Sequence, residues 1–232
     1  MKIFKYENID STFLESGRMS PTLDNGEYLF LAKEQSAGRG QGDHSFLSPR
    51  KNGIYATLLV KRDFDLKTHP MIVKRLTPLA AVCATEVLSE YRGDLRIKWI
   101  NDLMYCDKKY GGILSATSIE KDKITSFRIG FGINLGDAQL PGEICQTATT
   151  LNVSGLDYDI IAQKIAKHIL RSLGDDFIEK YRSLSTTIGK KVILANEEIA
   201  VAREICNDFT LNVETQTGEI INLKNTFGIK IL

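Results

Sequence analysis

Three stretches of this sequence place reactive or ligand-holding residue types close together. In AGRGQGDHSF (37–46), Gly38, Gly40 and Gly42 alternate. Such glycines permit positive φ and leave backbone N–H groups open, which is how a loop wraps an anion or a carboxylate. No Gly-Lys-Ser/Thr closes the stretch and no helix is expected after it, so it is not a nucleotide-binding P-loop. In KWINDL (98–103), Lys98 lies towards the end of a predicted strand, followed by Trp99, Asn101 and Asp102. A strand-borne lysine can hold a carboxylate and a phosphate together during an attack that expels pyrophosphate. The third stretch pairs KKYGGIL (108–114) with GFGINLG (130–136). Glycines within strands let another group approach the backbone. A dinucleotide fingerprint fails here, because Leu135 stands where a third glycine belongs. Each stretch alone also has a plain reading, as a surface loop, an edge-strand lysine or a strand irregularity.

The elements that would position these residues follow from periodicity. EYLFLAK (27–33) and IYATLLV (54–60) read as strands, with a loop between them that carries the alternating glycines. From Pro70 to Tyr91 apolar residues recur at three- and four-residue steps, which predicts an amphipathic helix kinked or started at Pro78. RIKWI (96–100), ILSATSI (113–119) and ITSFRIGFGINL (124–135) predict three strands, with turns at CDKKYG (106–111) and EKDK (120–123). Residues 157–182 read as one long helix. KKVILA, IAVARE, TLNVET, EIINL and FGIKI then give five short strands, the spacing of a small antiparallel barrel. The expected division is 1–184 and 185–232.

The chain has 232 residues, 43% hydrophobic and 25% charged, enough to bury a substantial core. Its 30 Lys and Arg against 29 Asp and Glu leave a net charge of +1, so no global field draws it to nucleic acid or an anionic membrane. The four cysteines form no CxxC pair and only three histidines are present, which argues against structural zinc. The N-terminus has no secretory core, and the most apolar stretch, 76–88, is too short and polar to span a bilayer. A cytoplasmic protein with reduced thiols is expected.

In order, DST (10–12), EQSAGRG (34–40), KWINDL, YGGIL and GFGIN, with ATTL (148–151) before the long helix, strongly resemble the biotin protein ligases of the biotin/lipoate ligase superfamily. The likeness runs from about residue 5 to the C-terminus. It implies an α+β catalytic domain, a mixed or antiparallel sheet backed by helices, followed by a small SH3-like barrel. It implies ATP (with Mg2+) and biotin as substrates, biotinyl-5′-AMP as intermediate, and a lysine of a biotin carboxyl carrier protein as acceptor. Direct protein ligation of a metal is not expected.

By motif position, Ser11, Thr12, Gln35 and Gly38 would bind biotin, with Gly112 and Gly132 as the pocket floor. Arg39 and Lys98 would be catalytic, bracketing carboxylate and phosphate. Gly40, Gln41, Phe46, Asn101 and Asn134, with Arg39, would meet ATP, Phe46 taking the place of the family's loop tryptophan against the adenine.

Four departures stand out. Phe13 replaces the asparagine of the usual DSTN. The loop tip, Gln41 to His44, lacks the further arginines, and Ile100 replaces the proline of Trp-Pro-Asn-Asp. The usual Glu after GIL is absent. Trp99 is expected in the core. Cys106, His44 and the lysine pairs at 108–109 and 121–123 read as solvated surface. Nine residues precede Asp10, too few for the winged helix that some relatives carry, so DNA binding is not expected. A homodimer is compatible with the likeness. The rivals are a lipoate or octanoate ligase, against which the absence of an RRxSGGG-like loop argues, and a non-catalytic ligand-binding relative.

Overall fold

A computed structural model describes residues 1–42, 45–48, 53–137, 140, 142, 144–153, 155–226 and 229–232. His44, Asp43 and the Phe227-Gly228 pair of the last predicted strand lie outside these residues.

Seven strands form one sheet in the order β1-β2-β3-β7-β6-β5-β4: β1 (Lys2–Tyr6), β2 (Gly26–Ala32), β3 (Gly53–Asp65), β4 (Arg96–Lys98), β5 (Asp102–Tyr105), β6 (Lys108–Glu120) and β7 (Lys123–Asn134). Only the β1–β2 pair is parallel and the other pairs are antiparallel, so the sheet is mixed. Residues alternate between its two faces. Leu58, Val60, Phe127, Ile129, Phe131 and Ile133 are buried in the main core with α2 (Ile72–Ser89) and α4 (Tyr158–Arg171). Tyr55, Thr57, Leu59, Arg128, Gly130 and Gly132 project to the other face, where α1 (Thr12–Met19) packs on β2, β3 and β7.

α2 runs through Pro78 rather than starting there. The long helix expected over 157–182 is two helices, α4 and α5 (Ile178–Leu184), with the short α3 (Ile144–Thr147) preceding them. Gly174, Asp175 and Asp176 explain the break. Glycine has poor helical propensity and aspartate favours caps, and here the Asp176 carboxylate accepts the Ile178 N–H. α1, β1 and β5 were not anticipated from periodicity; each is short or mostly polar.

A second sheet, all antiparallel, follows in the order β11-β10-β9-β8-β12, with β8 (Lys191–Ile193), β9 (Ile199–Ile205), β10 (Leu211–Thr215), β11 (Ile220–Leu223) and β12 (Lys230–Ile231). Its core residues Val192, Ala202, Leu211 and Val213 join the main apolar cluster. Among the described residues no helix is long and apolar enough to cross a membrane.

Candidate functional site

The register of the seven-stranded sheet creates a depression. Tyr55 on β3 pairs with Gly132 on β7, Gly132 with Gly112 on β6, and Gly112 with Asp102 on β5. Two side-chain-free positions side by side leave a trough between Tyr55 and Asp102. One step along the strands, Thr57 pairs with Gly130 and Gly130 with Leu114. A cavity of about 420 Å³ opens over this trough.

Its polar side is built by α1 and β3. Ser11 caps α1, its hydroxyl accepting the Leu14 N–H, and is buried. The Thr12 backbone N–H donates to Gln35 Oε1 at 2.8 Å, and the Thr12 hydroxyl lies 3.1 Å from the same oxygen and 3.0 Å from Thr57 Oγ1. The Gln35 amide donates to Ser48 Oγ at 2.9 Å. These groups form a neutral network of donors and acceptors with no ionised member.

On the opposite side the strands supply cations. Lys98 lines the cavity half-buried, with no ion-pair or hydrogen-bond partner among the described residues. Lys109, read from its neighbours as a solvated turn residue, is instead in β6 and half-buried against the cavity. Its ammonium pairs with Asp102 at 2.5 Å. A Cβ on Gly112 would come within 3.3 Å of the Lys109 Nζ, so the lysine lies over the floor itself. Asn101, also in the cavity wall, uses its amide to donate to the Ile113 carbonyl at 3.0 Å. The Trp99–Ile100 peptide beside it is cis.

The glycine-rich loop arches over the trough. Phe46 N–H donates to the Gly38 carbonyl at 2.8 Å and Arg39 bridges to Ser45, which folds the loop on itself. Gly38 is buried behind the loop rather than lining the cavity, and a Cβ there would collide with the Phe46 carbonyl. Arg39, Gly40 and Gln41 line the cavity; the Arg39 side chain is exposed and has no hydrogen-bond or ion-pair partner among the described residues. The Phe46 ring rests directly on Gly132, where an added Cβ would stand 2.6 Å from it, and meets Tyr55 edge-on at 6.4 Å.

Most of the expected site residues are therefore brought together: Ser11, Thr12, Gln35, Arg39, Gly40 and Gln41 from the N-terminal third, and Phe46, Lys98, Asn101, Gly112 and Gly132 after them. Gly38 and Asn134 are not. Asn134 is buried two residues beyond Gly132 on β7, donating weakly to the Thr149 carbonyl at 3.4 Å.

Sequence reasoning missed Lys109, Thr57 and the C-terminal segment. Thr226, Ile229, Lys230 and Ile231 also line the cavity, and the Thr226 hydroxyl donates to Gln41 Oε1 at 2.6 Å. Strand alternation from Gly112 would not have found Lys109, because a register shift separates the pairing of Gly111 from that of Lys109.

Comparison with known proteins fits this geometry. Residues 5–134 match the biotin/lipoate A/B protein ligase family, and the chain belongs to that family. The chain is 33% identical over 161 residues to the bifunctional ligase/repressor BirA of Bacillus subtilis, a match covering 68% of this chain and 47% of that protein. It is 31% identical to a biotin–[acetyl-CoA-carboxylase] ligase of Paracoccus denitrificans over 143 residues, 60% of this chain and 57% of the relative. The match thus spans about half the length of the Bacillus relative. In fold, it superposes on the biotin protein ligase from Aquifex aeolicus, solved with biotin and ATP, with a TM-score of 0.78, 23% identity and coverage of 100% and 98% of the two chains.

Proposed function

We propose that this chain joins biotin to 5′-AMP at the expense of ATP and passes the biotinyl group to one lysine of a biotin carboxyl carrier protein. One observation carries the reading: a glycine floor lies between a neutral hydrogen-bonding network (Thr12, Gln35, Thr57) and a cationic side formed by Lys98 and Lys109, under a loop bearing Arg39. That arrangement suits a ligand with an uncharged polar head, an apolar body and a terminal carboxylate.

In the first half-reaction a biotin carboxylate oxygen attacks the α-phosphorus of ATP, the bond to the β-phosphate breaks, and pyrophosphate leaves. Both partners are anionic, so fixed ammonium groups lower their repulsion as they approach. Lys109 is held in place by Asp102, whereas Lys98 is free to turn towards a phosphate. In the second half-reaction the neutral amine of the carrier lysine attacks the anhydride carbonyl, the bond to AMP breaks, and the amine sheds a proton. The loop with Phe46 covers the trough and shields the hydrolysable anhydride from water.

Asp102 is the one carboxylate among the described cavity residues, and it is engaged by Lys109. Among the described residues no cluster of three or more potential ligands is placed to hold a metal. Mg2+ belongs to this reading as part of the Mg·ATP substrate. Residues 1–184 form the catalytic domain and 185–232 a small domain docked on it, contributing Thr226 and Lys230 to the nucleotide side of the cavity. The protein works in the cytoplasm, where carrier and ATP are found.

Pyrophosphate exchange with ATP tests the reading. Biotin should support exchange; exchange with lipoate or octanoate alone would reassign the substrate, and none with any acid would leave only a binding protein. Lys98→Met and Lys109→Met should each slow exchange about 100-fold, the scale of losing one preorganised donor. Near-normal exchange in either variant removes that lysine from the mechanism.

A further inference from the structure

Two glycines two residues apart on β7 are each covered by an aromatic ring: Gly132 by Phe46 of the loop, and Gly130 by Phe13 of α1. An added Cβ on Gly130 would stand 3.0 Å from Phe13 Cδ2 and 3.7 Å from its Cε2, so an edge of this ring packs against bare strand. Phe13 lines the cavity next to Thr12 and Thr57, the neutral polar network.

Beneath Phe13 sits Arg128. Its guanidinium carbon is 4.7 Å from the Phe13 ring centroid, and its Nη1 donates to the Phe13 carbonyl at 3.0 Å. The side chain is half-buried, and no carboxylate pairs with it among the described residues. A partly desolvated guanidinium without a paired carboxylate among the described residues is costly unless hydrogen bonds and ring contacts compensate it, and here both come from Phe13. The third member is Gly17 of α1: a Cβ there would collide with the Arg128 guanidinium. Gly17 therefore lets Arg128 reach under the helix and clasp both the ring and the carbonyl of one residue.

We infer that Phe13 is a specificity-determining wall of the acid-binding cavity and that Arg128, admitted by Gly17, is the positioning residue that fixes it. The ring closes the end of the cavity beside Thr12 and Thr57 and so limits the size of the ligand head that can enter. Arg128 does not line the cavity and acts only through Phe13. The inference rests on the ligase reading above for the identity of the ligand, and deepens it.

Biotin-dependent pyrophosphate exchange in the full chain, together with hydrogen exchange of α1, tests it. Arg128→Met and Gly17→Ala should each raise the KM for biotin about tenfold while leaving kcat and the KM for ATP within about twofold. Both should speed amide exchange in residues 14–19 without affecting β2. Phe13→Ala should shift preference at least fivefold towards a biotin analogue enlarged on its fused rings, such as biotin sulfone. An unchanged biotin KM in the two positioning variants overturns the inference. Equal effects on biotin and ATP do so as well, since they would mark a general loss of structure. So does an unchanged analogue preference in Phe13→Ala. If the wild type shows no biotin-dependent exchange at all, the ligase reading falls instead. The α1 amide exchange then decides the positioning claim by itself, and unchanged exchange overturns it.

Discussion

The two aromatic walls of the cavity are built alike and held differently. Phe13 and Phe46 each lie on a glycine of β7, two residues apart on the same face. Phe13 belongs to a helix whose start is capped by Ser11 and whose carbonyl and ring are gripped by Arg128. Phe46 belongs to a loop tied down by backbone bonds at its base, and by the Gln41–Thr226 hydrogen bond at its tip. One wall stands on a capped helix held by a side chain from the sheet, and the other on a loop held by its own backbone bonds and one contact from the second sheet. The difference teaches that one glycine floor can carry two walls of unlike support, one held within the helix-and-sheet layer and the other held across to the second sheet.

The contrast breaks most visibly when each ring is removed. Phe13→Ala should destabilise the protein by about 2–3 kcal/mol, since it leaves a void over Gly130 and an unsheltered Arg128. Phe46→Ala should change stability by no more than about 0.5 kcal/mol while weakening ligand retention. Denaturant unfolding of both variants checks this, and equal losses would mean the loop is as fixed as the helix.

A subtler pair adds a single methyl to each floor position. Gly130→Ala pushes on a ring that Arg128 prevents from yielding, and should cost about 1–2 kcal/mol. Gly132→Ala displaces Phe46 with its loop and should leave the melting temperature nearly unchanged, its effect appearing in ligand affinity. Calorimetry with and without biotin separates the two.

The smallest effect is electrostatic. Asp10 precedes α1 and receives a two-pronged contact from Arg18, at 2.8 and 2.7 Å. That hydrogen bonding holds the Asp10 carboxyl down at about 2. A carboxylate with a depressed folded pKa stabilises fully above its unfolded value and loses that contribution as pH falls towards the folded one. Asp10 should therefore support α1 above about pH 4 and cease to do so near pH 2. The pair is well exposed, so Asp10→Asn should remove only about 0.5 kcal/mol at pH 7, with the difference shrinking as pH falls towards 2 and vanishing below it. Acid titration of both proteins measures the difference.

Much of this was legible in the sequence for physical reasons. The glycine pairs, the β-branched runs of β3 and β7 and the five short C-terminal strands announce themselves by local composition. The loop and Lys98 did so by motif. What escaped depends on distance along the chain. Thr57 looks like any strand threonine until β3 pairs with β7 and brings it opposite Gly130. Lys109 sits in a run that reads as a turn, and only the irregular pairing of β5 with β6 turns it towards the cavity. Thr226 and Lys230 reach the site through the packing of a second sheet, which no local pattern can foretell. Arg128 was invisible because nothing near it in sequence hints at a helix carrying Gly17 above it.

The segment that carries Lys98 has one more consequence. Its neighbour Trp99 gives its indole proton to the Phe209 carbonyl at 2.7 Å and its backbone proton to the Thr187 hydroxyl at 2.8 Å. The Ile100 carbonyl accepts from Tyr181 at 3.1 Å, and the Ile97 carbonyl from the Thr186 N–H at 2.9 Å. The segment bearing a candidate catalytic lysine is thus held by Tyr181, Thr186, Thr187 and Phe209 as well as by its own sheet. Anyone exchanging C-terminal modules between this chain and its relatives would therefore be transplanting part of the support for Lys98. A chimera joined neatly at the linker would still need the donor's partners for Trp99 before Lys98 returned to its place.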